Sequence, residues 1–481
     1  MLFNSFEFLI FLPIVFLLYW FVFKHRRWQN LLIVIASYVF YGWWDWRFLL
    51  LIAFTSLCSF ASGLLLERSS GNRPVQKAIS AANIVVNLLI LGVFKYYNFF
   101  VSNLDSLLNS LFSYHLDWVT INVILPVGIS FYTFQALSYS IDVYRGNIKA
   151  TRDIVEFFAY ISFFPQLVAG PIERATNLLP QFQSQRRFDY ARAVDGCRQM
   201  LWGFVKKLVV ADNCATIVNA QWDNYQNLPG LSLFLLGVLF TFQIYCDFSG
   251  YSDIAIGCAR LFGFNLMRNF NFPYFSRSIP EFWRRWHISL MTWFRDYIYF
   301  PLGGSRCSKR KLIRNIIIVW SISGLWHGAE WTFIIWGLYH ALLLIIYNLA
   351  GINSKHKNIV AFGRVIPNVT EFLQMCFTFI LAVIGWIVFR CESLTQVGGF
   401  FSAMASNRFY GSSAFIGVKP LLFGFLLLMV EWFQRDKQHA LQFPNTKPFS
   451  SRITRWGVYY LICLLILGFS GSSQTFIYFQ F

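Results

Sequence analysis

Long apolar stretches alternate along this chain with short polar gaps that are mostly basic. The clearest runs, Phe8 to Phe23, Leu231 to Cys246, Phe372 to Phe389 and Trp456 to Ser470, carry no charged residue. Each is about as long as the hydrocarbon thickness of a bilayer requires. The runs are continuous rather than alternating, and in lipid only a helix or a closed barrel satisfies the backbone. The pattern therefore predicts an all-α, polytopic integral membrane protein. Its apolar segments number roughly 10 to 13, some of them re-entrant. The first run has no basic flank before it and no small-residue cleavage site after it, so it is expected to stay in the mature protein. With no linker, no fixed repeat and no long soluble insert, residues 1–481 are expected to form one membrane domain. The longest polar gaps fall near 175–192, 350–370 and 434–452.

Composition strengthens this picture: 57% of residues are hydrophobic, 20% aromatic and 13% charged, where a soluble domain carries about a quarter charged. Forty Lys and Arg against 22 acidic residues leave a formal charge of +18. This surplus suits positive-inside loops facing anionic lipid headgroups, and also a polyanionic cytosolic ligand. Nucleic-acid binding is not expected, because the basic residues are interleaved with apolar segments. Lys24-His25-Arg26-Arg27 after the first run points to the cytoplasm, as does the cluster Arg306, Lys309, Arg310, Lys311 and Arg314. Arg452 and Arg455 before the last run put its far end, from Gly471 to Phe481, outside. The nine cysteines are scattered without a CxxC pair, so neither a disulfide framework nor a metal site is expected.

Candidate chemistry rests on histidines. His25, His115, His356 and His439 lie in polar sequence where solvation accounts for them. His327 lies in Ser323-Gly324-Leu325-Trp326-His327-Gly328-Ala329-Glu330, inside a nearly wholly apolar run from Ile316 to Ile346. An ionisable group there normally faces a cavity or a partner. Flanking glycines allow close approach of backbone or substrate. A helix through this run would put Glu330 on the face of His327, to orient the imidazole or to pair with an arginine. His340 suits a packing role. Between Trp283 and Tyr297, helical spacing lines up Trp283, Trp286, Leu290, Trp293, Phe294 and Tyr297 with His287 among them, as in an amphipathic helix at the membrane interface or dipping into the protein. Asp247 and Asp253 in an apolar setting, and Asp142 with Arg145, read as structural partners for arginines. P-loop, GxGxxG, HExxH and GxSxG motifs are absent. A buried histidine with no obvious Ser or Cys partner fits a general base that deprotonates a hydroxyl.

Four phrases resemble the membrane-bound O-acyltransferase superfamily: Leu125-Pro126-Val127-Gly128-Ile129-Ser130-Phe131-Tyr132-Thr133-Phe134-Gln135, Asp247-Phe248-Ser249-Gly250-Tyr251-Ser252-Asp253, Phe282-Trp283-Arg284-Arg285-Trp286-His287-Ile288-Ser289 and Gly324-Leu325-Trp326-His327-Gly328. Within it the likeness runs to the branch that acetylates alginate and peptidoglycan, over essentially the whole chain. Cys246 and Glu330 depart from the branch's pattern. The resemblance implies a ring of helices around a funnel in a bacterial inner membrane, and no bound cofactor. It also implies acetyl-CoA entering from the cytoplasm as donor, an envelope polysaccharide as acceptor, and a periplasmic SGNH-type partner with a Ser/His/Asp site that completes transfer. His327 matches the family's catalytic histidine and His287 its second recurrent one. The ending Phe476-Ile477-Tyr478-Phe479-Gln480-Phe481 resembles an aromatic motif whose tyrosine, here Tyr478, would carry the acyl group; an interfacial aromatic belt is the plainer reading. D-alanyl transfer to teichoic acid, polysaccharide export and a scaffolding role are the alternatives.

Overall fold

The computed structural model describes residues 1–115, 118, 125–352, 358–409, 411, 417–443, 448–472 and 474–477. Every regular element among them is helical. Six helices are long and apolar enough to cross a bilayer: Phe48–Arg68, Arg73–Phe112, Gly230–Leu261, Trp331–Leu349, Val369–Arg390 and Arg452–Phe469, with Phe6–Val22 a shorter apolar one. The four charge-free runs fall within these helices, and the chain is a multi-pass membrane protein. Large apolar side chains face outward from them, Leu50 at 71% exposure and Ile453 at 85%. Lipid, not water, suits such a surface.

The chain forms two compact units, one of residues 1–193 and 258–266, the other of 194–257 and 267–481. In the first, the Leu125–Gln135 phrase acts through Gly128, which has φ +74° and begins the Ile129–Arg145 helix. A Cβ there would lie 2.6 Å from the Leu167 carbonyl oxygen, so only glycine fits both the conformation and the space. The Arg186 guanidinium donates to Asn30 Oδ1 at 2.6 Å and lies 5.0 Å over the Phe264 ring. A buried cation is thereby paired with oxygen and π acceptors.

The second unit is built on close helix crossings. A Cβ on Gly203 would meet the Gly250 carbonyl oxygen at 2.6 Å, and one on Gly250 would meet that of Gly203 at 2.8 Å. Glycine at both positions thus lets the helix ending at Phe204 touch Gly230–Leu261 backbone to backbone. After Phe204 the chain widens into a π-helical turn, Val205–Ala211, which aims two consecutive lysines inward. The Ile316–Ile346 run is not one span, as its continuous apolarity suggests. It folds as a hairpin of Lys309–His327 and Trp331–Leu349, broken by extended backbone at Gly328 and Glu330. The two helices close on glycine: a Cβ on Gly324 would meet the Phe333 carbonyl oxygen at 2.3 Å, and one on Gly337 that of Trp320 at 2.3 Å.

Candidate active site

His327 is the last residue of the Lys309–His327 helix and is buried. Aromatic rings surround its imidazole edge-on: Trp326 at 4.9 Å between centroids, Trp336 at 5.0 Å and Phe389 at 5.3 Å. Gly328 completes this corner, since a Cβ there would run into the Phe333 ring at 2.0 Å. Trp336 also packs on Trp283 and Trp320, at 5.6 and 6.1 Å. Those two indoles line a cavity of about 460 Å³ whose walls also include Arg284, Met291, Arg295 and Leu344. Mostly apolar walls carrying two guanidinium groups suit a flexible apolar arm with an anionic head.

The stripe from Trp283 to Tyr297 is not one amphipathic helix at the interface. The chain breaks at His287, which has φ +44° and separates Ile279–Arg285 from Ile288–Phe294. Trp283, Trp286, His287 and Leu290 are all buried, so the segment lies inside the protein. The left-handed turn directs the His287 Nδ1 to Asn269 Oδ1 at 3.1 Å, and Ser289 Oγ donates to the same oxygen at 2.9 Å. The Ile288 N–H donates to the Asn269 carbonyl at 2.9 Å. With Asn269 Oδ1 accepting, the neutral ring keeps its proton on Nδ1 and its lone pair on Nε2. Asn269 lies outside the stripe and no local pattern marks it. One turn before the break, Glu281 holds Arg277 at 3.1 Å and Arg285 at 2.8 Å. Burial acts to raise the Glu281 carboxyl, but the two guanidinium groups outweigh it and keep it below the usual range.

Asp247 and Asp253 pair with lysines, not with the arginines their setting suggests. Lys206 Nζ lies 3.0 Å from both Asp253 and Glu431, and the Tyr245 hydroxyl donates to Glu431 at 2.8 Å. Lys207 Nζ lies 2.8 Å from Asp247 and 2.9 Å from Asp212. Glu431 and both lysines are invisible to a motif search, although adjacent lysines set between Leu201-Trp202-Gly203-Phe204-Val205 and Leu208-Val209-Val210 are a readable sign of pairing.

The remaining candidates divide. Tyr478 and His356 lie outside the described residues. Glu330 is exposed and stands, in extended backbone, just before the start of Trp331–Leu349, so the chain break removes it from the face of His327. His340 is buried and its Nδ1 accepts from Trp283 Nε1 at 3.3 Å. His439 is not solvated: it is buried with Nε2 3.1 Å from Asp195 Oδ1. Among the described residues no group of three or more His, Cys, Asp or Glu side chains could hold a metal ion.

The family model for membrane-bound O-acyltransferases matches residues 38–389. The chain is 42% identical over 407 residues to the probable alginate O-acetylase AlgI of Pseudomonas aeruginosa, covering 84% of this chain and 75% of that one. Against the protein of the same description from Pseudomonas putida it is 37% identical over 504 residues, covering 100% of both. Against the peptidoglycan O-acetyltransferase of Helicobacter pylori it is 32% identical over 424 residues, covering 82% of this chain and 78% of the other.

Proposed function

The chain belongs to the membrane-bound O-acyltransferase family, and from that footing we propose that it takes acetyl from cytosolic acetyl-CoA and passes it outward for O-acetylation of an envelope or secreted polysaccharide such as alginate. His327 is the general base. It takes the proton of an acceptor hydroxyl, the oxygen attacks the thioester carbonyl, the tetrahedral oxyanion collapses with cleavage of the C–S bond, and the thiolate takes up the proton. The observation that carries this reading is the placement of His327 as the last residue of a helix within an aromatic enclosure. There water is excluded, and the carbonyl end of the helix favours the positive charge the imidazole acquires.

The cavity beside Trp283 and Trp320 takes the thioester arm, with Arg284 and Arg295 facing the phosphates. His287, set by Asn269, supports the acceptor side of the transfer. Tyr478 is the first acyl acceptor, and a periplasmic SGNH-type acetyltransferase moves the group on to the sugar. Residues 1–481 act as one membrane domain of a bacterial inner membrane, with the basic loops inside and the last residues in the periplasm.

The test is transfer from radiolabelled acetyl-CoA by the purified protein, comparing wild type with His327→Ala and Tyr478→Phe. Loss of thioester cleavage in the first and loss of label on the chain in the second support the relay. Undiminished activity in His327→Ala removes the base. Label supplied only by a D-alanyl carrier protein would move the chain to teichoic acid chemistry.

A further inference from the structure

The Lys207–Asp247 pair has no part in the chemistry above, yet it is a buried ion pair whose aspartate stands on the membrane-spanning Gly230–Leu261 helix, where charge is kept only for a reason. Besides Asp212, its contacts lie on the last described segment of the chain. Lys207 Nζ donates to the Gln474 carbonyl at 3.2 Å, and Asp247 Oδ2 accepts the Ile477 N–H at 2.7 Å. The Gly471 N–H donates to the Leu208 carbonyl at 3.0 Å, and Asn213 Nδ2 to that of Phe469 at 2.8 Å. The segment is packed as well as tied, with Phe476 at 2% exposure and Ile477 at 1%. The Phe476 ring lies 4.8 Å from that of Tyr251 and 6.2 Å from that of Phe248, whose own ring meets His287 at 4.7 Å. The chain beyond the Arg452–Phe469 helix thus brings Phe476 against the wall that carries His287.

We propose that Asp247 and Lys207 are positioning residues that latch the segment from Gln474 to Ile477 into the protein, and that acyl transfer depends on this latch. The pair is held through Asp212 on its far side, 2.9 Å from Lys207, so the lysine stays charged and fixed while Asp247 spends one carboxylate oxygen on the tail. An aspartate buried only for packing has no need to point an oxygen at a backbone N–H of a distant segment. The proposal deepens the relay through Tyr478 and rests on it for the identity of the acceptor, not for the latch itself.

The experiment uses the full chain in detergent and compares wild type, Asp247→Ala, Asp247→Asn, Tyr478→Phe and the double variant Asp247→Ala with Tyr478→Phe. Amide hydrogen exchange at Phe476 and Ile477 reads the latch; acetyl transfer and the KM for acetyl-CoA read its use. The expected result is exchange at Ile477 faster by at least roughly tenfold in Asp247→Ala, the equilibrium worth of one charge-assisted hydrogen bond. Exchange in the Arg452–Phe469 helix is unchanged, the donor KM is unchanged and transfer falls. Asn keeps an oxygen acceptor for the Ile477 N–H, so Asp247→Asn is expected to retain part of both. If the latch serves Tyr478, Asp247→Ala has no further effect on a Tyr478→Phe chain. Should Tyr478→Phe be fully active while Asp247→Ala still frees the tail and loses transfer, the carrier assignment falls and the latch stands. Unchanged Ile477 exchange in Asp247→Ala, or a freed tail with full transfer, overturns the latch.

Discussion

His287 and His327 pack against the same side chain: the indole of Trp326 meets the first ring at 5.8 Å and the second at 4.9 Å, both edge-on. The two histidines therefore share one wall, although they come from different turns of the chain. One stands at a helix end and the other at a left-handed break, and their roles differ accordingly.

For His327 the expected outcome of substitution by Ala is a loss of kcat by about 10²- to 10⁴-fold, the usual worth of a positioned base. The melting temperature in detergent should stay near that of wild type, because the surrounding rings remain packed on one another. Steady-state kinetics with acetyl-CoA, run beside a thermal melt, check both halves. A large fall in melting temperature with the activity would assign His327 to structure instead.

His287 is expected to act only in the orientation that Asn269 imposes. Asn269→Ala removes the oxygen that accepts from Ser289 Oγ and holds the imidazole Nδ1, so the ring is free to change tautomer. The effect on transfer should match that of His287→Ala, and the double variant should be no worse than either. Additive losses measured in the same assay would mean that the Asn269 side chain acts apart from His287, through its bonds to the Ser289 N–H and Oγ.

Gly324→Ala should open the hairpin. The new methyl would stand 2.3 Å from the Phe333 carbonyl oxygen, and backbone on the facing helix cannot yield as a flexible side chain can. Overpacking of this kind costs about 1 to 3 kcal/mol, visible as a lower melting temperature. Because the same helix ends in His327, transfer should fall with it. Gly337→Ala presses on the same crossing from the other side, and the pair should be less than additive.

The helices were legible because continuous apolar runs of bilayer length form helices in lipid, and the burial of His327 was legible because an imidazole between glycines in such a run is costly to expose there. What the local pattern hides is where a run stops being one helix. Between Ile316 and Ile346 only Glu330, in the short step His327-Gly328-Ala329-Glu330, carries a formal charge, yet Gly324, Gly328 and Gly337 fold the run into a hairpin there and carry Glu330 away from His327. At His287 the helical stripe is real as spacing, but a left-handed residue splits it, and its hydrogen-bond partner lies 18 residues upstream. Contacts of that range leave no mark on periodicity. The acidic motif was seen while its cations were mistaken for arginines, since Lys206 meets Asp253 across 47 residues of sequence.

Acid should weaken the corner that carries His287. Arg277 and Arg285 hold the Glu281 carboxyl below its usual range, so the folded protein binds this proton less tightly than the unfolded chain. The stabilisation is complete above the unfolded value of about 4.3 and is lost as pH falls through the lower folded value. Wild type should therefore melt above Glu281→Gln at pH 7, and the gap should close as the pH drops below about 4. A gap that is constant with pH would show that the carboxylate's charge is not what holds the two arginines.

Lys206 makes the sharpest demand on stability. Its ammonium lies 3.0 Å from both Asp253 and Glu431, and 5.2 Å over the Tyr245 ring, with Lys206 and Glu431 buried and Asp253 largely so. Removing the cation in Lys206→Met leaves two carboxylates with, among the described residues, only the Tyr245 hydroxyl and the Gln199 amide as donors and no cation between them, for which about 3 to 5 kcal/mol is the expected cost. The penalty comes from the stranded charges rather than from the lost attraction, so neutralising them should return part of it. Lys206→Met with Glu431→Gln is accordingly expected to melt above Lys206→Met alone, and raising the salt concentration should change neither, since ions do not screen a buried pair. A double variant no more stable than the single one would mean that Lys206 stabilises the fold through its aliphatic stem and the Tyr245 ring rather than through the carboxylates.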